Sequence, residues 1–188
     1  YIKLVFAMLV CSGARLEEIV SLQWGDIRDH QSVQCFDFNR QSLVTKTQYS
    51  ERRTPIVDLL KPLIEKYKKT FRVKIKDDTP IFPNKFGEAN ADGKYSNNAS
   101  QKLGRILNKV PSIRRDRENA KYLLDTHSFR QTFEGLCEDH SWDGTLISKV
   151  TGHGLSGMDI HYRWEQPRNF KNLLDRMNQL DFQFIKGI

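Results

Sequence analysis

The spacing of hydrophobic residues along the chain predicts a mainly helical protein. In most segments apolar residues recur every three or four positions with polar residues between them, which is the period of a helix with one buried face. We expect helices at 1–10, 16–23, 57–71, 97–110, 128–139, 143–151, 160–164 and 167–184.

A different pattern lies between the second and third of these helices. Three short segments there are rich in β-branched and aromatic residues, and the polar residues between them are typical of turns: 32–38, 42–47 and 53–57. They predict a small antiparallel sheet among the helices, so the expected fold class is α+β. Prolines and glycines make 76–96 a loop. Nothing divides the pattern into two cores, so we expect residues 1–188 to form one domain.

The charge of the chain narrows the classes of function. Lys and Arg number 30 against 23 Asp and Glu, a net charge of +7, which favours an anionic partner and most often a nucleic acid. No apolar run approaches the ~18 residues of a membrane span, and 38% hydrophobic residues are too many for a disordered chain. The cysteines include no CxxC pair, which argues against a zinc module or a disulfide framework and fits a reducing compartment. Cys11 and Cys137 lie in apolar stretches, so we expect both in the core.

Two polar segments in the first part of the chain are candidates for chemistry. Gly13 lets the chain turn, and Arg15, two residues later, opens the second predicted helix. Glu18 follows one helical turn after Arg15, where its carboxylate can hold the guanidinium in place. Taken alone, this pair also fits a solvated arginine and glutamate on a helix surface. Lys46 lies in the predicted sheet, where a lysine is most often a solubility device at a strand edge.

Two further polar segments lie in the second half. His127 and Arg130 are three residues apart at the start of a predicted helix, so they share a face beside the first N–H groups of that helix. Such a pair could bind a phosphate, and it fits equally well an ordinary His–Arg pair on the surface. His153 stands between two glycines, which let backbone approach a ligand closely. Tyr162 follows nine residues later, and a helical tyrosine is by itself most often half-buried packing.

The order of these residues along the chain favours a functional interpretation of all four segments together. Arg15, Lys46, the His-x-x-Arg pair, the Gly-His pair and Tyr162 follow one another in one basic chain. In this the sequence resembles the catalytic domain of the tyrosine recombinases, the phage integrase family, over nearly its whole length. Two departures are mild, since Phe129 and Thr151 stand where that family commonly has leucine.

The resemblance implies a strand-transfer reaction on DNA. Tyr162 would attack a DNA phosphate and form a 3′-phosphotyrosyl intermediate, which conserves the phosphoester energy so that rejoining needs no ATP. His127 would accept the tyrosine proton, and Lys46 would donate a proton to the departing 5′-oxygen.

The resemblance also implies how the phosphate is held. Arg15 and Arg130 would bind its non-bridging oxygens, because planar guanidinium donors match phosphate and keep their charge. His153 would bond to a phosphate oxygen, and Glu18 would support Arg15. Positive side chains would stand in for a divalent metal, so we expect neither a metal nor another cofactor.

Partners and location follow from the same resemblance. We expect double-stranded DNA, a homo-tetramer on paired recombination sites, an accessory directionality factor and no membrane, in the cytoplasm of a bacterium or with a phage. The chain starts at Tyr1 inside an apolar helical pattern, so we interpret it as part of a longer protein whose N-terminal DNA-binding domains lie outside it. The last predicted helix, 167–184, either packs on its own domain or passes to a neighbouring subunit.

Two other functions stay open at this point. A type IB topoisomerase shares much of this chemistry but relaxes supercoils without exchanging partners, and the Ser-Gly-Ala-Arg and Gly-His spacings favour a recombinase over it. A DNA-binding protein that has lost catalysis is the other alternative, and the full set of catalytic residue types argues against it.

Overall fold

The computed structural model describes residues 1–39, 52–111, 125–153, 169–182 and 185. Their helices are α1 (Ile2–Ser12), α2 (Leu16–Val20), α3 (Lys61–Lys68), α4 (Ser96–Leu107), α5 (Ser128–Asp139), α6 (Gly144–Thr151) and α7 (Phe170–Asn178). The strands are β1 (Ile27–His30), β2 (Val33–Asp37) and β3 (Arg53–Pro55), and a 3-10 turn, Trp24–Asp26, precedes the first. The predicted class, mainly helical with a small antiparallel sheet, is confirmed.

The sheet has the order β1-β2-β3, with antiparallel pairing throughout. The first hairpin turns at Gln31 and Ser32, whose φ values of 50° and 60° match a tight two-residue turn. Ser32 was expected inside a strand and is in the turn instead. The sequence pattern did not separate β1, because Arg28 and Asp29 at its middle are exposed. The strand expected at 42–47 lies outside the described residues.

Helix α1 forms the centre of the core. It has no polar face, and eight of its residues are buried: Leu4, Val5, Ala7, Met8, Leu9, Val10, Cys11 and Ser12. Helices α2, α3 and α5 pack around it.

The cysteines confirm the prediction that they belong to the core. Cys11 and Cys137 are buried and unpaired, and burial raises the pKa of each thiol to about 12. Both therefore stay protonated and pack as small apolar side chains.

Helices α2, α3, α4 and α7 are each shorter than predicted by two or more residues. Helix α7 ends at Asn178, and the chain beyond it unwinds so that Leu180 and Phe182, two residues apart, are both buried. Helix α2 ends at Val20 because the chain after it pairs with the 76–96 loop through the Gln23–Pro80 bridge. Helix α3 begins only at Lys61. The loop itself is confirmed. The helix expected at 160–164 lies outside the part of the chain that the structure describes. Among the described residues, no helix is long and apolar enough to cross a membrane.

Gly13 ends α1 and brings it against two other helices. Its φ of 61° is left-handed, and its N–H bonds to Leu9 O at 3.0 Å. A Cβ at this position would lie 2.5 Å from Cδ1 of Phe133 and 2.9 Å from Cγ2 of Thr151, so α5 and α6 approach the backbone here more closely than any side chain allows.

We expect Gly13→Ala to lower the free energy of unfolding by about 2 to 4 kcal/mol, because it adds both left-handed strain and an overpacked methyl group. Urea denaturation measures the change. Gly104→Ala in α4 is the matched control, since nothing lies within 4 Å of its added methyl. It should leave stability unchanged or raise it by up to about 1 kcal/mol. Equal effects of the two substitutions would contradict the close approach at Gly13.

Candidate active site

The C-terminal end of α6 gathers three arginine side chains from distant parts of the chain. Gly152 caps this helix with a φ of 71°, and the carbonyls of the last turn carry the negative end of the helix dipole. The guanidinium groups donate to these carbonyls: Arg52 Nε to Val150 O at 2.7 Å, Arg130 Nη1 to Thr151 O at 2.5 Å and Arg15 Nη2 to Gly152 O at 2.9 Å.

Arg15 is held at the start of α2 by Glu18. The Arg15 backbone N–H donates to Glu18 Oε2 at 2.7 Å, and its Nη1 lies 3.2 Å from Oε1 of the same carboxylate. The pairing predicted from the sequence is therefore present. The Arg15 side chain remains 29% exposed, so the guanidinium reaches the surface while its base is fixed.

Arg52 is a residue whose importance the sequence analysis missed. Its Nη1 and Nη2 donate to the two carboxylate oxygens of Glu18 at 2.8 and 2.9 Å, and its Cζ lies 4.5 Å from the centre of the Phe38 ring. Only 1% of the residue is exposed. The sequence placed Arg52 in a turn, although it alternates with buried Thr54 and Ile56 in strand period. An inward-facing arginine in that pattern signals a carboxylate partner.

The electrostatics of Glu18 follow from these contacts. Burial alone would raise the pKa of its carboxyl, but the charge and hydrogen bonds of Arg52, together with Arg15, outweigh burial and hold the pKa below its ordinary value. Glu18 is therefore ionised at neutral pH and offsets part of the positive charge of the cluster.

Arg130 projects from α5 into the same cluster. Its Nη1 donates to Gly13 O at 3.0 Å as well as to Thr151 O, so the side chain links the ends of α1 and α6. Its Nε and Nη2 have no hydrogen-bond partner among the described residues. Burial, and then the charges of Arg15 and Arg52, lower its pKa to about 10, so it is still positive at neutral pH.

His127 lies at the N-cap of α5 and is exposed. The N–H groups of His127 and Ser128 donate to Oδ1 of Asp125 at 2.7 and 3.3 Å. They are therefore already occupied and do not form the phosphate site that helix N–H groups at this position could have provided. Any anion at this position must therefore be bound mainly by side chains.

A groove of about 400 Å³ is lined by three of the predicted site residues, Arg15, His127 and Arg130. His153 is not part of its lining, which also includes small polar residues at the start of α4, namely Ser96, Asn97 and Ser100.

Glu17 connects helix α2 to the start of α4, and both elements contribute residues to the lining of this groove. Its carboxylate accepts from the N–H groups of Tyr95 at 3.2 Å and Ser96 at 2.6 Å, which ties α2 to the start of α4. A larger cavity of about 660 Å³ lies between α2 and the 76–96 loop, and it contains none of the predicted site residues.

His153 follows the cap of α6 directly and borders the cluster. Its Nδ1 lies 3.2 Å from Oε1 of Glu134, a residue that the sequence analysis did not single out. Burial, followed by the charges of Arg130 and Arg15, lowers the His153 pKa to about 4. The imidazole is therefore neutral at pH 7 in the free protein.

Lys46 and Tyr162 lie outside the described residues. Lys46 belongs to the segment 40–51, which Arg52 follows directly, and Tyr162 belongs to the segment 154–168, which His153 precedes directly. The Phe38 N–H donates to Arg52 O at 2.8 Å, which closes the strand pair at the base of the first segment. In the described ranges, no group of three or more His, Cys, Asp and Glu residues is arranged to hold a metal ion.

Integrases are among the known proteins that this chain resembles in sequence pattern or fold. A family model described as "Phage integrase family" matches residues 1–168. The Tn1549 transposon integrase in complex with transposon right end DNA has a similar fold, with a TM-score of 0.53 and 15% identity over 94% of this chain and 58% of that one. The same integrase in complex with circular intermediate DNA gives a TM-score of 0.52 and 14% identity over 98% and 57%. The chain thus spans less than two thirds of those integrases, and no curated protein matches its sequence.

We expect Glu18→Gln to lower the free energy of unfolding at pH 7 by about 3 to 5 kcal/mol, because Arg52 then remains buried without a counter-charge. The pKa of Glu18 is depressed in the folded protein, so its contribution is present above the ordinary value of 4.5 and is lost as pH falls below it. Urea unfolding between pH 3 and 7 should show a weaker acid dependence in the variant.

The matched control is Glu65→Gln, an exposed carboxylate on α3. It should change stability by less than about 0.5 kcal/mol. A Glu18→Gln protein as stable as this control would contradict the structural importance of the ion pair.

Proposed function

The chain belongs to the phage integrase family, and on that premise we propose that it is the catalytic domain of a site-specific DNA recombinase or integrase. It cleaves and rejoins DNA strands through a 3′-phosphotyrosyl intermediate, without metal or ATP. One observation carries the proposal: Arg15 and Arg130, from opposite halves of the sequence, line a single groove with His127.

The arginine cluster supports phosphate binding. Each guanidinium group donates hydrogen bonds to backbone carbonyls or to a carboxylate, so its orientation is fixed before DNA binds. Arg130 is positively charged and its Nη2 has no partner among the described residues. A phosphate bound in the groove would add negative charge beside the guanidinium groups and so reduce the repulsion between the arginines.

The nucleophile and the proton donors complete the proposed mechanism. We assign Tyr162 as nucleophile from its spacing to His153, and Lys46 as the acid that protonates the 5′-oxygen. Tyrosine has a pKa of ~10, so it needs a proton acceptor at neutral pH. His127 takes that role, since it is exposed beside Arg130 in the groove. His153 binds a phosphate oxygen.

The partners of the domain are also part of the proposal. Double-stranded DNA is the substrate, a partner named for both Tn1549 integrase structures. Further DNA-binding segments lie outside this chain, and the working form is a homo-tetramer on paired sites, assisted by a directionality factor.

We expect Tyr162→Phe to abolish covalent DNA adducts while DNA binding persists, because only the attacking oxygen is removed. A nicked suicide substrate traps the adduct, and a gel-shift assay measures binding. Tyr95→Phe, a partly exposed tyrosine outside the groove, is the control and should keep forming adducts. A persistent adduct in the Tyr162→Phe protein would show that the nucleophile is misassigned.

Cleavage should also continue after removal of divalent metal. With excess EDTA, adduct formation on the same substrate should stay within about twofold of the untreated rate, because arginine and lysine charges stabilise the transition state. An absolute need for added Mg²⁺ would refute this metal-free mechanism.

A further inference from the structure

Glu134 stands between two groups of the site without a completed hydrogen bond. It lies on α5 one turn after Arg130, and its Oε1 is 3.2 Å from both Arg130 Nε and His153 Nδ1. Oε1 is buried, and neither contact has hydrogen-bond geometry. Arg130 and Glu134 form an ion pair, and a well-aligned hydrogen bond from a neighbouring N–H group would further stabilise this buried carboxylate oxygen.

His153 is the neighbour that can adjust. Arg130 is 1% exposed and anchored by two carbonyl oxygens, so its guanidinium has little room to turn. The His153 side chain is 45% exposed and follows a helix-capping glycine. A small rotation of the imidazole brings Nδ1–H into line with Oε1 of Glu134.

We propose that Glu134 is a positioning residue for His153: Nδ1 donates to the Glu134 carboxylate, and Nε2 is the ring nitrogen that meets the DNA phosphate. The phosphate contact rests on the function proposed above. The contact between His153 and the Glu134 carboxylate does not depend on that function, because both groups belong to this chain and no DNA is involved. No spacing in the sequence links residue 134 to residue 153, so this assignment comes from the fold.

The charges around His153 make this arrangement dependent on DNA. The groups that act on it come from α5, from the start of α2 and from the start of β3: Glu134, Arg130, His127, Arg15 and Arg52. Burial first, and then the predominance of positive charge, lower the pKa of His153 to about 4, so the free imidazole is neutral. The contact with Glu134 places its single proton on Nδ1 and leaves Nε2 bare. A bound phosphate offsets the arginine charges and favours the imidazolium, whose Nε2–H then donates to a phosphate oxygen. DNA binding is therefore coupled to uptake of one proton at His153.

Long-range ¹H–¹⁵N spectra of histidine-labelled protein test the carboxylate contact directly, with the His153 signal assigned by its loss in His153→Gln. In the free wild-type protein at pH 7 we expect the Nδ1–H tautomer. Glu134→Ala should remove this preference, whereas Glu134→Gln should retain it, since the amide oxygen still accepts. Glu138→Ala, an exposed glutamate one turn further along α5, is the control and should match wild type.

Adding a DNA duplex tests the coupling. The His153 titration midpoint should rise by at least about one pH unit, a tenfold change in proton affinity. The rise should be smaller in Glu134→Gln, which lacks the carboxylate charge. On the suicide substrate, Glu134→Ala should form adducts about tenfold more slowly than the Glu138→Ala control, and Glu134→Gln should recover part of that loss.

The outcomes separate this proposal from the proposed function. An Nε2–H tautomer in free wild type, or a tautomer unchanged by Glu134→Ala, overturns the positioning role whatever the catalytic result. A midpoint that DNA does not raise overturns the proton coupling. The expected tautomers together with a wild-type protein that forms no adduct would leave Glu134 as a positioning residue and refute the recombinase mechanism.

Discussion

A buried ion pair between Glu18 and Arg52 determines how the rest of the site is arranged. The carboxylate that receives both Arg52 hydrogen bonds also holds Arg15, and the guanidinium that makes them also holds the end of α6. Two charges removed from water are stable together only when their atoms are matched in this way. Helices α2 and α6 and strand β3 are therefore fixed relative to one another at the point where the other arginines meet.

Bringing three guanidinium groups together has a cost that the fold only partly offsets. Carbonyl oxygens at a helix end and two glutamates supply negative charge, yet the pKa of Arg130 remains lowered to about 10 by burial and by its arginine neighbours. The cluster is thus built to receive an anion, because an added negative charge relieves repulsion that is already present. The pKa of His153 responds to the same positive charges, and in our proposal this is how a bound phosphate would promote uptake of a proton.

The sequence predicts those features that depend on local pattern. The bounds of α5 and the pairing of Arg15 with Glu18 follow from residues a few positions apart, whereas α1 extends two residues beyond its predicted end at residue 10. Arg52 escaped prediction because its partner lies 34 residues away, and Glu134 because its contact with His153 exists only once α5 and α6 pack together. Helix α7 was predicted too long, since amphipathic period alone does not reveal that Leu180 and Phe182 must both face the core.

The carboxylate of Glu17 has a consequence for the proposed function of this groove. Because it fastens the start of α4 to α2, these two parts of the groove lining are joined before any ligand binds. Under the proposed function, a lining joined in this way would contact the sugar-phosphate strand, which every base sequence shares. Discrimination between one target sequence and another would then reside in surfaces away from the chemistry, and target preference could change during evolution without disturbing the proposed reaction.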